Sequence, residues 1–130
     1  IESTQTKRKK KIKRIKMLSL KNRLKKRNDI DRVFKNGKTI AGKFIVVRAV
    51  KNQLENNRFT FVVSKKISRK AVVRNKIKRQ MRESIRKLKF KNGFDFVVIA
   101  LPAIVDKKFL EIKQDINEIF NFKINKIIPK

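Results

Sequence analysis

Cysteine, histidine, tyrosine and tryptophan are all missing from the 130 residues. Without Cys there is no disulfide framework and no thiolate metal site, which permits a reducing compartment without demonstrating one. Without His or Cys, the usual general bases and the thiol nucleophile are gone as well. Acids are scarce: Glu2, Asp29, Asp31, Glu55, Glu83, Asp95, Asp106, Glu111, Asp115 and Glu118 are the whole set. They are scattered, and the nearest pair, Asp29 and Asp31, would point to different faces of a helix. The sequence therefore offers no catalytic side chain and no metal site of its own. It also lacks any apolar run near the ~18 residues of a membrane-crossing helix.

What is abundant is positive charge. There are 39 Lys and Arg against 10 acids, a net charge of +29 and a pI near 11.3. A field of one sign opposes compaction, and a polyanion that neutralises it accounts for its presence. Nucleic acid is the first candidate partner and an anionic membrane surface the second. Hydrophobic content of 40% supports one core, and the length fits one domain.

Charge also divides the chain. Residues 1–16 carry eight cations and one acid, a like-charged block that reads as a disordered arm with non-specific phosphate affinity. It has no apolar core of a secretory signal, and its weak amphipathicity argues against a transit peptide. The expected organisation is a basic extension over 1–20, a nucleic-acid-binding domain over 21–123 and a basic tail over 124–130.

Within the domain, "NRLKKRNDIDRVFKNGK" predicts a short helix. Asn28 is the candidate N-cap, Asp29 and Asp31 stand in the first turn, Ile30, Val33 and Phe34 form one face, and Gly37 stops it. "KFIVVRAV" (43–50) and "NRFTFVVS" (57–64) are β-branched and aromatic, with a polar connection that reads as a hairpin. "AVVRNKIKRQMRESIR" and the residues to about 89 form a second helix. "FDFVVIAL" (94–101) is a strand buried on both faces, closed by Pro102. Asp106 is placed to cap a last helix through Phe109, Ile112, Ile116, Ile119 and Phe120, whose acids Glu111, Asp115 and Glu118 read as a solvated stripe. The order predicts an α+β sandwich, a small sheet covered by helices, with 57–64 and 94–101 parallel if they share that sheet.

The second helix carries the functional signal. On a helical wheel Val73, Ile77, Met81, Ile85 and Leu88 form a core stripe. Opposite lie Lys78, Arg82, Asn75, Arg86 and Arg79, flanked by Arg74 and Lys76, with Glu83 alone interrupting them. A plain solvated face normally mixes signs; this one reads as a phosphate-binding surface. Arg grips phosphate oxygens with a planar fork, Lys adds a mobile charge and Asn offers donor and acceptor. "SKKISRK" extends the patch with Ser64, Lys65, Lys66, Arg69 and Lys70.

"FVVSKKISRKAVVRNKIKRQMRESIR" resembles the signature of the bacterial-type ribonuclease P protein family, with Arg74-Asn75-Lys76-Ile77-Lys78-Arg79 and then Arg82. "NRLKKRNDIDRVFKNGK" is similar to that family's first helix, and the likeness spans roughly Asn22 to Phe122. It implies a ribosomal protein S5 domain 2-like fold, α-β-β-(β)-α-β-α with one optional strand and a left-handed β-α-β crossover. It implies that the protein, monomeric in a cytoplasmic ribonucleoprotein, binds a catalytic RNA and assists removal of the 5′ leader from precursor tRNA. Hydrolysis would belong to the RNA and its Mg²⁺, held mainly by RNA and substrate phosphates. RNA contacts are implied for Arg74, Asn75, Lys76, Lys78, Arg79 and Arg82, to which the basic face adds Arg86, Lys65 and Lys66. A leader cleft is implied at Ile30, Phe34, Phe44, Ile45 and Val47, with Lys66 nearby. Many members carry aromatics where this chain has Ile30 and Val47, so stacking would rest on Phe34 and Phe44, for which core packing is the competing reading. Composition alone also accommodates a ribosomal-type structural RNA-binding protein or a DNA-compacting one.

Overall fold

The computed structural model describes residues 23–86, 88 and 93–124; the basic extension 1–20 and the tail beyond Ile124 lie outside them. The elements are α1 (Arg27–Asn36), β1 (Lys38–Ala41), β2 (Ile45–Lys51), β3 (Arg58–Val62), α2 (Ala71–Arg86), β4 (Phe94–Ala100), a 3-10 turn (Pro102–Asp106) and α3 (Phe109–Glu118). A π-helical turn over Ile119–Lys123 continues α3.

The strands form one sheet in the order β1-β2-β4-β3. β1 and β4 both run antiparallel to β2, and β3 pairs parallel with β4. The α+β sandwich and the parallel 57–64/94–101 pair are therefore as expected, but the 43–50/57–64 hairpin is not formed. β4 lies between those two strands. Six of its seven residues are buried, and it fills the position covered from both sides. The hairpin partner of β2 is β1, so the optional strand is real and lies ahead of β2. The polar connection is instead tied by Asn52, whose backbone N–H donates to Gly93 O at 2.9 Å and whose side-chain oxygen accepts from Leu54 N–H at 2.7 Å.

Alternation along the strands gives the sheet two different faces. Ile45, Val47, Ala49, Phe59, Phe94, Phe96, Val98 and Ala100 meet α2 and α3 in the main core, together with Ile77, Met81, Ile85, Ile112, Ile116 and Ile119. Phe96 is its centre, 5.1 Å from the Phe59 ring and 5.3 Å, edge-on, from Phe120. The other face carries α1 on a smaller core of Leu24, Val33 and Val97, with Ile30, Val50, Val62 and Ile99 against it.

Two expected caps are displaced. α1 begins at Arg27 behind Lys26, so Asn28 is already inside the helix. α3 begins behind Lys108, and Asp106 closes the preceding 3-10 turn. Neither helix start has a side-chain cap bond. Gly37 does end α1, but through close approach: its backbone is extended (φ −73°), and an added Cβ would fall onto the Val33 carbonyl oxygen. Gly37→Ala is expected to cost about 1–3 kcal/mol, read from the urea midpoint. No loss would mean that the turn relaxes freely.

Candidate nucleic-acid interface

α2 lays Ile77, Met81 and Ile85 into the main core and turns Asn75, Lys76 and Arg79 to solvent. Its cations divide into four groups by what surrounds them. Arg74 folds back: Nη1 donates to Ser68 O at 2.9 Å and to Arg69 O at 2.8 Å, so it fastens the preceding turn. That turn is closed further by Ile67 N–H to Ser64 O at 3.0 Å and leaves Lys65, Lys66, Arg69 and Lys70 exposed beside the helix start. Arg86 is half-buried and ion-paired with Glu83 at 2.8 Å, so the acid that interrupts the basic row neutralises one member of it. Asn75, Lys76 and Arg79 remain the outward group.

Lys78 and Arg82 look sideways, toward the β3 edge of the sheet. The Arg82 guanidinium carbon stands 5.7 Å from the centre of the Phe61 ring, a cation–π arrangement. Burial pushes the Arg82 guanidinium down from its ordinary value, Arg23 and Arg79 push the same way, and Glu83 alone works upward. Arg is so basic that it stays charged; the direction marks crowding by like charge.

The five residues expected in a leader cleft are not brought together. Ile30 is half-buried and Phe34 is 44% exposed, both on α1. Ile45 and Val47 are completely buried in the main core, beneath α2 and α3, on the opposite side of the sheet. Phe44 packs against that same core and is covered by Lys107, whose Nζ stands 4.9 Å from the ring centre. The reason is strand periodicity: a shift of one residue moves a side chain to the other face. The α1 face of β2 presents Val46, and in register with it stand Ile99 of β4 and Val62 of β3. These three are half-buried and form an apolar row across the sheet. Beyond Val62 the chain enters the turn that carries Lys65 and Lys66.

What seats α1 on the sheet is a set of charges that the sequence reading did not single out. Asp95 is completely buried on β4. It accepts from Arg58 Nε and Nη2 at 2.7 Å each, from Asn52 Nδ2 at 2.9 Å and from Arg32 Nη2 on α1 at 2.8 Å. Burial alone would raise its pKa, but these hydrogen bonds and the Arg58 charge outweigh that and hold it below the ordinary carboxylate value. Arg58 is raised in turn, by the Asp95 hydrogen bond first, against its own burial. At the other end of α1, Arg48 of β2 donates from Nη2 to Phe34 O at 2.6 Å and to Gly37 O at 3.0 Å, a cation at a helix C-terminus. The available signal was a charge inside an apolar strand run: Arg48 between Val47 and Ala49, Asp95 between Phe94 and Phe96.

Asp115 corrects the solvated acidic stripe. It is buried, and its carboxylate accepts the backbone N–H groups of Lys43 and Phe44 at 2.8 Å each, fastening α3 to the β1–β2 turn. Among the described residues no three acids stand together as a metal site, and no helix is long and apolar enough to cross a membrane.

Comparison with known proteins agrees with this architecture. The family model described as Ribonuclease P matches residues 18–123. A "Ribonuclease P protein component" of Caldanaerobacter subterraneus is 41% identical over 99 residues, covering 75% of this chain and 84% of that protein. The Bacillus cereus protein of the same name is 39% identical over 113 residues, covering 85% and 97%. Among solved structures, the Staphylococcus aureus RNase P protein superposes with a TM-score of 0.72 at 34% identity, over 82% of this chain and 96% of that one. The Thermotoga maritima RNase P protein gives 0.69 at 33% identity, over 75% and 94%. By its matching domain, its fold and these relatives, the chain belongs to the ribonuclease P protein component family.

Proposed function

We propose that this protein binds the catalytic RNA of ribonuclease P through α2 and helps that RNA remove the 5′ leader of precursor tRNA, as a monomer within a cytoplasmic ribonucleoprotein. The observation that carries the reading is the outward group Asn75, Lys76 and Arg79, continuous with Lys65, Lys66, Arg69 and Lys70 and opposed by no acid but Glu83, which is already paired. Such a surface holds a phosphate backbone without reading bases. The described acids do not fit Mg²⁺: Asp95 and Asp115 already accept protein donors, and no third acid joins either. On this reading RNA and substrate phosphates hold the metal, and the protein's own residues bind and orient.

The α1 side of the sheet suits the single-stranded leader. Phe34 offers an exposed ring for a base, the Val46–Ile99–Val62 row an apolar floor, and Lys66 a phosphate contact. Reconstitution tests the whole reading. Added to a bacterial ribonuclease P RNA, the protein should lower the Mg²⁺ needed to mature a leader-bearing precursor, and alone it should not mature that precursor. An unchanged Mg²⁺ requirement refutes the subunit role and leaves the ribosomal-type alternative. Phe34→Ala should weaken precursor tRNA by roughly tenfold, the scale of one lost stack, and mature tRNA far less. Equal losses would point to folding instead.

A further inference from the structure

Arg48 lies in the middle of β2 between Val47 and Ala49 of the main core, so strand alternation turns its own side chain to the face that carries α1. There Nη1 donates to Thr39 Oγ1 on β1 at 2.7 Å, and Nη2 donates to Phe34 O at 2.6 Å and to Gly37 O at 3.0 Å. We propose that Arg48 is a positioning residue for the leader of precursor tRNA: by tying the last turn of α1 to the sheet, it fixes the Phe34 ring on which a leader base stacks. The proposal rests on the leader reading of Phe34 and adds a residue that acts through that ring.

α1 needs an outside tie at this end. It has ten residues, fewer than the ~12–15 below which isolated helices are marginal in water. Val33 alone among them is buried. The last carbonyls of a helix have no donor within it. Here Gly37 N–H donates to Val33 O at 2.8 Å. The next carbonyl, Phe34 O, would take the N–H of residue 38 if the helix continued, but Lys38 opens β1 instead. Arg48 supplies the donor that is missing. A frayed last turn would carry the Phe34 backbone, and the ring with it, away from the sheet.

The frame to which Arg48 belongs is rigid. β2 lies between β1 and β4, and Arg48 stands in register with Thr39 on one side and with Val97 of the small core on the other. Thr39 holds one arm of the fork while the other arm takes the two carbonyls, and a planar guanidinium fixes the angle between them. All these acceptors are uncharged, so the contact sets geometry and neutralises nothing. Phe34 is 44% exposed, and burial therefore holds its ring only in part. A ring set in place before the base arrives loses less freedom on binding, which is how preorganisation raises affinity.

The test uses the holoenzyme, reconstituted from the full chain and a transcript of a bacterial ribonuclease P RNA, and reads the ratio of precursor to mature tRNA affinity. Arg48→Met keeps an unbranched stem and removes every donor. It should lower the ratio roughly fivefold, the scale of coupling between residues in contact, and leave mature tRNA and ribonuclease P RNA binding within about twofold. In a Phe34→Ala background the same substitution should change the ratio by less than about twofold, because the ring it positions is gone. Thr39→Val, which keeps the charge and loosens one arm, should lower the ratio as well. Lys38→Met, which removes an exposed charge from β1 and leaves the tie intact, should not. A full effect of Arg48→Met in the Phe34→Ala background overturns the positioning role, since Arg48 would then act on the leader directly. An equal fall for precursor and mature tRNA, or an equal effect of Lys38→Met, also overturns it. If Phe34→Ala lowers the ratio and Arg48→Met does not, this proposal fails and the leader reading stands; if Phe34→Ala has no effect, both fail. Should Arg48→Met not fold, Thr39→Val decides, and an unchanged ratio refutes the tie.

Discussion

Asp95→Asn is expected to destabilise the protein by about 3–5 kcal/mol at neutral pH, the scale on which removing one partner breaks a buried charge network. Against a total stability of about 5–15 kcal/mol for a domain, that is a large share. The carboxylate gathers donors from three places: Arg58 on β3, Asn52 in the β2–β3 connection and Arg32 on α1. An amide at the same position would turn its own N–H groups toward one of those donors and leave the arginines short of an acceptor. Arg58 carries most of the effect, because its side chain is 19% exposed, whereas Arg32 at 38% is screened by solvent and adds less. The damage should be local first. Amide exchange should accelerate in α1, which rests on the small core of Leu24, Val33 and Val97, ahead of α2 and α3 on the main core. A loss below about 1 kcal/mol would show the network to be incidental.

The same residue sets a pH dependence. Its folded pKa is depressed, so its contribution is complete above the unfolded carboxylate value of about 3.9 and is lost as pH falls through the folded value. The stability gap between wild type and Asp95→Asn should therefore be constant at neutral pH and close in acid below about pH 4. A gap that stays constant down to pH 2 would exclude ionisation of Asp95 as its source.

Periodicity made most of this fold legible, and register accounts for what it missed. Three- and four-residue spacing places Ile77, Met81 and Ile85 on the buried side of α2, and Ile112, Ile116, Ile119 and Phe120 on that of α3. The apolar run of 94–101, interrupted by Asp95 alone, marks the strand covered on both sides. Spacing does not say which strands are neighbours, so the polar connection after β2 resembled a hairpin although β4 lies between β2 and β3. Nor does a family likeness carry the facing of a strand through a one-residue uncertainty, which is why Ile45 and Val47 were expected on the α1 side, where the strand presents Val46. The acids follow from a different cause. In a chain so rich in cations, Asp95 and Asp115 are drawn inward as acceptors for arginine and backbone donors, and a wheel or a count of charges does not show what a side chain will meet in space.

The basic helix gives the other large effect. Arg79→Ala combined with Arg82→Ala is expected to weaken binding of ribonuclease P RNA by roughly a hundredfold or more, since each charge-assisted bond to phosphate contributes about 1.5–3 kcal/mol. The log–log salt slope should fall by roughly 1.5–2 units. Arg79 is exposed and free to meet an outer phosphate, and Arg82 is held over Phe61 beside the edge of β3, so each substitution removes a different donor. Arg86→Ala is the informative control. It removes a charge of the same sign from the same helix, but one that Glu83 already neutralises at 2.8 Å; the salt slope should change by less than about half a unit. Arg74→Ala should act by another route, weakening binding through the turn that its guanidinium fastens at Ser68 and Arg69. If Arg86→Ala lowers the slope as much as Arg79→Ala, total charge governs binding. If only the unpaired positions lower it, the arrangement of acids around the helix has selected which cations remain for RNA.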